Sequence, residues 1–166
     1  LPFWKSESGK FLFVNSIEDL KVKTKKSGNT YLVMRHGSAE HMVKSVMSGL
    51  DNDIYHLTEE GKKEVADQVG TLKDKKITKI ISSPLLRTKE SAEIVVEGLG
   101  IAKDEIVYDD RIREYDFGEW EGKPFDDFIA YRAGTITEYD QKLGGSSLLE
   151  TKQRIGEFLY DIESKY

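Results

Sequence analysis

Tyr31-Leu32-Val33-Met34 is a short apolar run that ends abruptly at Arg35-His36-Gly37. A run of this length, bounded by polar residues, predicts a buried strand. A strand ending here delivers the next residues to the carboxyl edge of a sheet, where open α/β folds place their ligands. Arg35 brings a guanidinium that forks onto a phosphate or carboxylate. His36 brings an imidazole capable of nucleophilic attack, and Gly37 lets the backbone approach a bound anion. A lone histidine at a strand end more often satisfies only a hydrogen bond; the tripeptide around this one points to a site.

The rest of the chain alternates. Ile77 to Ile81 predicts a second strand, followed by Ser82-Ser83-Pro84-Leu85-Leu86-Arg87-Thr88. Pro84 suits the first turn of a helix reaching about Gly98, which puts Arg87 near a helix N-terminus, where anions are favoured. A third strand over Glu105 to Tyr108 leads into Asp109 to Gly122, an acidic stretch that contains Glu114 and reads by itself as a solvated loop.

A helix after Thr58 carries Val65, Val69 and Leu72 on one face, and Lys73 to Lys76 make a polar turn. The next helix presents Leu86, Ile94 and Val95. Pro124 opens a shorter one with Phe125, Phe128 and Ile129. The last, Ser147 to about Tyr166, offers Leu148, Ile155, Leu159 and Ile162 as core residues. This alternation predicts an α/β fold, a largely parallel sheet with helices on both faces.

Composition narrows the function classes. A net charge of −5 argues against broad nucleic-acid binding, and the absence of cysteine excludes disulfides and thiolate metal sites. No apolar run approaches the ~18 residues of a membrane span, so a cytoplasmic module with no membrane partner is expected. Asp51 and Asp53 resemble the opening of a calcium loop, but Tyr55 and Lys62 stand where oxygen ligands belong. His36 and His41 lack the spacing of a helical zinc pair, and no phosphate loop of the GxxxxGK[ST] type is present. Ala39 to Tyr55 reads as an ordinary surface loop in preference to a mobile lid.

Five ordered motifs resemble the histidine phosphatase superfamily, the phosphoglycerate-mutase-like group. They are Leu32-Val33-Met34-Arg35-His36-Gly37, His56-Leu57-Thr58-Glu59-Glu60-Gly61, Ser82 to Ala92, Glu114 to Gly122, and Gly144-Gly145-Ser146-Ser147 followed by Arg154. The resemblance implies a phosphohydrolase domain over 29–166. His36 would attack phosphorus and carry the phosphoryl group as phosphohistidine, while Arg35, Arg87 and Gly37 bind the phosphate. Glu114 would protonate the leaving oxygen and then take a proton from water. No metal or other cofactor is called for, because the arginines supply the positive charge. The partner would be a phosphorylated small molecule or a phosphohistidine protein.

Two departures qualify the resemblance. Members acting on small metabolites often have Asn six residues after the nucleophile, where this chain has Met42, which argues against mutase activity. The family also places a second essential histidine on a late strand. This chain has three histidines, and His41 and His56 come too early. A C-terminally truncated domain, weak or inactive alone, is therefore expected.

Residues 1–28 form a separate tract. Leu1-Pro2-Phe3-Trp4, Ser8-Gly9-Lys10 and Ser16-Ile17-Glu18-Asp19-Leu20-Lys21 resemble a stretch of isoleucyl-tRNA synthetases. That likeness implies a phosphatase domain inserted in a tRNA ligase. The alternatives are a plain hairpin and helical turn capped by Ser16 for this tract, and a non-catalytic anion- or protein-binding module for the insert. Lys21, Lys23, Lys25 and Lys26 read as a solvated linker, or else as a tRNA phosphate contact within the parent synthetase.

Overall fold

The computed structural model describes residues 29–49, 54–135 and 145–166. The synthetase-like tract, the hairpin read there, the lysine run, and Asp51 and Asp53 lie outside the described residues.

The elements in chain order are α1 (Glu40–Val43), α2 (Glu59–Leu72), β1 (Ile80–Ser82), α3 (Leu86–Leu99), β2 (Ile106–Tyr108), α4 (Phe125–Thr135) and α5 (Leu148–Lys165). Local chemistry sets the ends of the longer helices. At α2 the Thr58 hydroxyl accepts the Gly61 amide at 3.0 Å, with Glu59 and Glu60 in the first turn. At α5, Ser147 and Glu150 exchange both bonds of a capping box. Helix α3 stops at Gly100, whose φ of 72° is cheap only for glycine.

β1 and β2 pair in parallel, with Ile80 opposite Ile106 and Ser82 opposite Tyr108, and α3 makes the crossover between them. Ala39, Leu57, Val65 and Val95 form one core cluster involving α2 and α3, while Ala92, Val96 and Ile106 close α3 onto the sheet. Met47, Tyr115 and Phe128 form another cluster, packed by Phe117, Trp120 and Leu148.

Several boundaries and faces differ from the sequence reading. Tyr31 to Met34 joins no ladder among the described residues; Val33 is 90% exposed, Leu32 50% and Met34 41%. A strand exists only through a neighbour's hydrogen bonds, and an apolar run does not supply one. The two observed strands start later than expected: Ile77 to Lys79 pairs with nothing among the described residues, and Lys103–Glu105 is a 3₁₀ turn. Pro84 lies outside α3. The N-cap is Leu85, in extended conformation, and its carbonyl accepts the Thr88 and Lys89 amides.

Helix α5 buries Phe158 and Glu163; Ile155 is exposed and Leu148, Leu159 and Ile162 are half-buried. In α4 only Phe128 is buried among the three expected residues; Phe125 and Ile129 face outward. The described residues between Ala39 and Tyr55 are no plain loop. They contain α1, are tied down by bridges Ala39–Leu57 and Val46–Pro124, and bury Ala39, Met47 and Tyr55.

Candidate active site

His36 follows the apolar run Tyr31 to Met34, and its ring is held at both nitrogens. Nδ1 lies 2.7 Å from the Gly37 carbonyl oxygen. A carbonyl only accepts, so Nδ1 carries the proton and Nε2 keeps its lone pair. Arg87 Nε donates to that Nε2 at 3.2 Å. Burial is the main cause lowering the His36 pKa below its ordinary value; the charges of Arg87 and Arg35 add to it, against the opposing pull of the Gly37 carbonyl and Glu114. The imidazole is therefore neutral at neutral pH, the form in which a histidine nitrogen can act as a nucleophile.

Arg87 stands in the first turn of α3 and is only 1% exposed. A buried guanidinium is tolerated when its donors are used. Beyond His36, Nη1 donates to the Ser48 hydroxyl at 3.3 Å and Nη2 to the Ser48 carbonyl at 3.1 Å. Ser83 and Thr88, which line the same space, also secure this turn: Thr88 Oγ1 donates to the Ser83 carbonyl at 2.8 Å.

Arg35, His36, Arg87 and Glu114 all line one cleft of about 210 Å³, together with Arg113. Glu114 arrives from the loop that follows β2 and the 3₁₀ turn Asp110–Ile112. Its carboxylate accepts the Tyr115 amide at 2.8 Å, and Tyr115 is anchored by its buried ring and by a hydroxyl bond to the Ser146 carbonyl. The Glu114 side chain is exposed at the cleft mouth. The charges of Arg87, Arg35 and Glu114 all act on the His36 imidazole, and two guanidinium groups on one cleft suit a tetrahedral anion.

Gly37 sits beside this group but serves packing. It is buried, its amide donates to the Ser91 hydroxyl at 3.3 Å, and a Cβ would come within 2.9 Å of Val65 Cγ2. Its amide is thus used inside the protein by Ser91. Ser48 and Arg113 had no role in the sequence reading. Ser48 touches the site across a separation of 39 residues, which no local pattern reveals. Among the described residues no group of three or more His, Cys, Asp or Glu side chains is arranged to hold a metal ion.

His41 is the second imidazole near the cleft, with ring centroids 5.9 Å from His36 and 5.8 Å from Tyr55. Its Nδ1 is buried without a hydrogen bond. Burial first, then the charges of Arg87, His36 and Arg35, push its pKa from 6.5 down to about 4. The unfolded chain therefore takes up a proton at higher pH than the folded one. The stability tied to neutral His41 is full above 6.5 and is lost as pH falls towards about 4. His41→Phe should flatten the fall in Tm over that window. Parallel Tm–pH curves for the two proteins would contradict this.

Comparisons with known proteins give the family and the fold. Residues 31–166 match the Histidine phosphatase superfamily (branch 1). The chain is 32% identical over 130 residues to the fructose-2,6-bisphosphatase TIGAR of Xenopus tropicalis, covering 76% of this chain and 46% of that protein. It is 34% identical over 129 residues to the bovine (Bos taurus) protein of the same name, covering 76% of this chain and 47% of that protein. Among solved structures, YhfR of Bacillus stearothermophilus superposes with a TM-score of 0.66 at 28% identity, over 80% of this chain and 66% of that one. The chain spans about half the length of these two curated relatives.

Proposed function

Because the chain belongs to branch 1 of the histidine phosphatase superfamily, we propose that its cleft carries out phosphoester hydrolysis through a phosphohistidine at His36. The observation that carries this reading is the pair of bonds on one ring, Nδ1 to the Gly37 carbonyl and Arg87 to Nε2. Together they fix a neutral imidazole whose Nε2 lone pair accepts the Arg87 Nε hydrogen in the resting site, a donor that must turn to the phosphoryl oxygens before Nε2 attacks.

In this reaction Nε2 attacks phosphorus, the ester P–O bond breaks, and Glu114 gives its proton to the departing oxygen. Water then attacks the phosphohistidine, Glu114 takes the water's proton, and the P–N bond breaks to release phosphate. Arg35 and Arg87 spread charge over the transferring oxygens, a preorganised electrostatic contribution.

The substrate class is a phosphorylated small molecule or a phosphohistidine protein; the name of the TIGAR relatives refers to a sugar bisphosphate. The first 28 residues support a second element of the reading, that this domain is an insert in an isoleucyl-tRNA synthetase. Its support is the Leu1-Pro2-Phe3-Trp4 and Ser16-Ile17-Glu18-Asp19-Leu20-Lys21 likeness, placed before a family match that starts at residue 31. Contact with tRNA would then belong to the parent synthetase, and the setting would be cytoplasmic. No helix among the described residues is long and apolar enough to cross a membrane.

Trapping tests the chemistry. The full-length protein, mixed with a ³²P-labelled phosphoester and quenched in alkali, should retain label on His36 that is stable to base and lost in acid. Binding of phosphate without any labelled protein would instead favour the anion-binding module.

A further inference from the structure

Arg154 lies in the second turn of α5, outside the residues lining the cleft. Its guanidinium grips the backbone that delivers the carboxylate. Nη1 donates to the carbonyls of Asp110 at 3.3 Å, Arg111 at 3.0 Å and Arg113 at 2.9 Å, and Nη2 donates to the carbonyl of Glu114 at 3.2 Å. The Asp110 carbonyl also accepts the Arg113 amide, and the guanidinium supplies donors to the carbonyls that follow as the chain leaves the 3₁₀ turn. A planar fork can bridge a run of carbonyls that a compact ammonium cannot.

The other side of Glu114 is held from the same element's approach, since the Tyr115 hydroxyl donates to the Ser146 carbonyl just before the Ser147 cap. Among the described residues the only hydrogen bond to the Glu114 carboxylate comes from the Tyr115 amide. The direction of this exposed side chain is therefore set by its backbone, and the backbone is set by Arg154 and Ser146.

We infer that Arg154 is a positioning residue that aims Glu114 at the leaving oxygen. The inference rests on the acid role of Glu114 proposed above. Arg154 touches neither substrate nor the reacting atoms. Its effect is confined to steps in which Glu114 moves a proton.

Leaving-group dependence separates this role from a scaffold role. Phenyl phosphate needs a proton on its departing oxygen, whereas 2,4-dinitrophenyl phosphate expels a stable phenolate without one. In the full-length protein, Arg154→Met should lower kcat/KM for phenyl phosphate by about 30-fold, part of the ~10²-fold or more available from a positioned acid. For the dinitrophenyl ester the loss should stay below about twofold. Glu114→Gln should show the same bias. Adding Arg154→Met to it should cost less than about twofold more, because residues that act as a unit are not additive.

Arg154→Lys keeps the cation and some donors, so it should recover part of the phenyl phosphate rate; it also supplies the test if the methionine variant does not fold. Equal losses on both esters, or full additivity with Glu114→Gln, would make Arg154 a scaffold residue and overturn the inference. If Glu114→Gln alone shows no leaving-group bias, the acid assignment fails first and the positioning role falls with it.

Discussion

Replacing His36 with alanine should abolish phosphoester hydrolysis by the full-length protein, with kcat for phenyl phosphate falling by at least about 10⁴-fold, as expected when a covalent nucleophile is removed. No neighbour can substitute. His41 is the nearest other imidazole, but its ring centre stands 5.9 Å away and its own surroundings are the Tyr55 ring and a buried, unpartnered Nδ1. The loss should come from chemistry and not from unfolding. The alanine leaves Arg87 with its two bonds to Ser48 and removes a single acceptor, worth about 1–3 kcal/mol where the donor stays buried. Phosphate should still bind, because Arg35 and Arg87 remain. Turnover of the variant at the parent rate would remove His36 from the mechanism and leave the cleft as an anion-binding site.

The second large effect is structural. Gly61→Ala should destabilise the domain by about 3 kcal/mol or more, lowering Tm by roughly 10 °C. A Cβ at Gly61 would overlap the Ser38 carbonyl oxygen and stand 2.7 Å from the Ser38 amide nitrogen. Both are backbone atoms, so no side chain can swing aside. Relief requires α2 to move off the segment after His36. That movement breaks the Thr58 amide and hydroxyl bonds to the Ser38 carbonyl at 2.9 and 3.2 Å, and the two Glu64 carboxylate bonds to Ser38 at 2.8 and 2.9 Å.

Gly70→Ala, in the same helix with open space around it, is the control. There alanine should stabilise by about 0.5–1 kcal/mol, because glycine in a helix interior costs that much. Equal Tm values for the two variants would show that the close approach of α2 to Ser38 carries no energetic weight.

The two substitutions mark the limits of reading the chain by eye. Thr58 as a cap, Glu59 and Glu60 in the first turn, and the Ser147–Glu150 box are legible because their partners lie three residues apart and any helix start poses the same demand. Gly61 was visible as a motif position, yet the reason for it, contact with Ser38, spans 23 residues of sequence and appears only in the fold. Gly37 is legible as a small residue beside the histidine, while its close approach to Gly61 and Val65 is visible only in the fold. Tyr31 to Met34 has the hydrophobicity of a strand, but strand formation depends on a second segment lying alongside, which composition cannot report.

From its own residues, then, the chain determined the alternation of strand and helix and the caps at Thr58 and Ser147, because a cap depends on partners three residues away and a periodic face on its own segment. The tertiary structure alone decided that Arg87 leans on Ser48 and on Nε2 of His36, and that Arg154 holds the four carbonyls leading to Glu114. Those contacts join residues about 40 to 50 positions apart. Their geometry follows from how helices pack on the parallel pair, and no spacing rule along the chain encodes it.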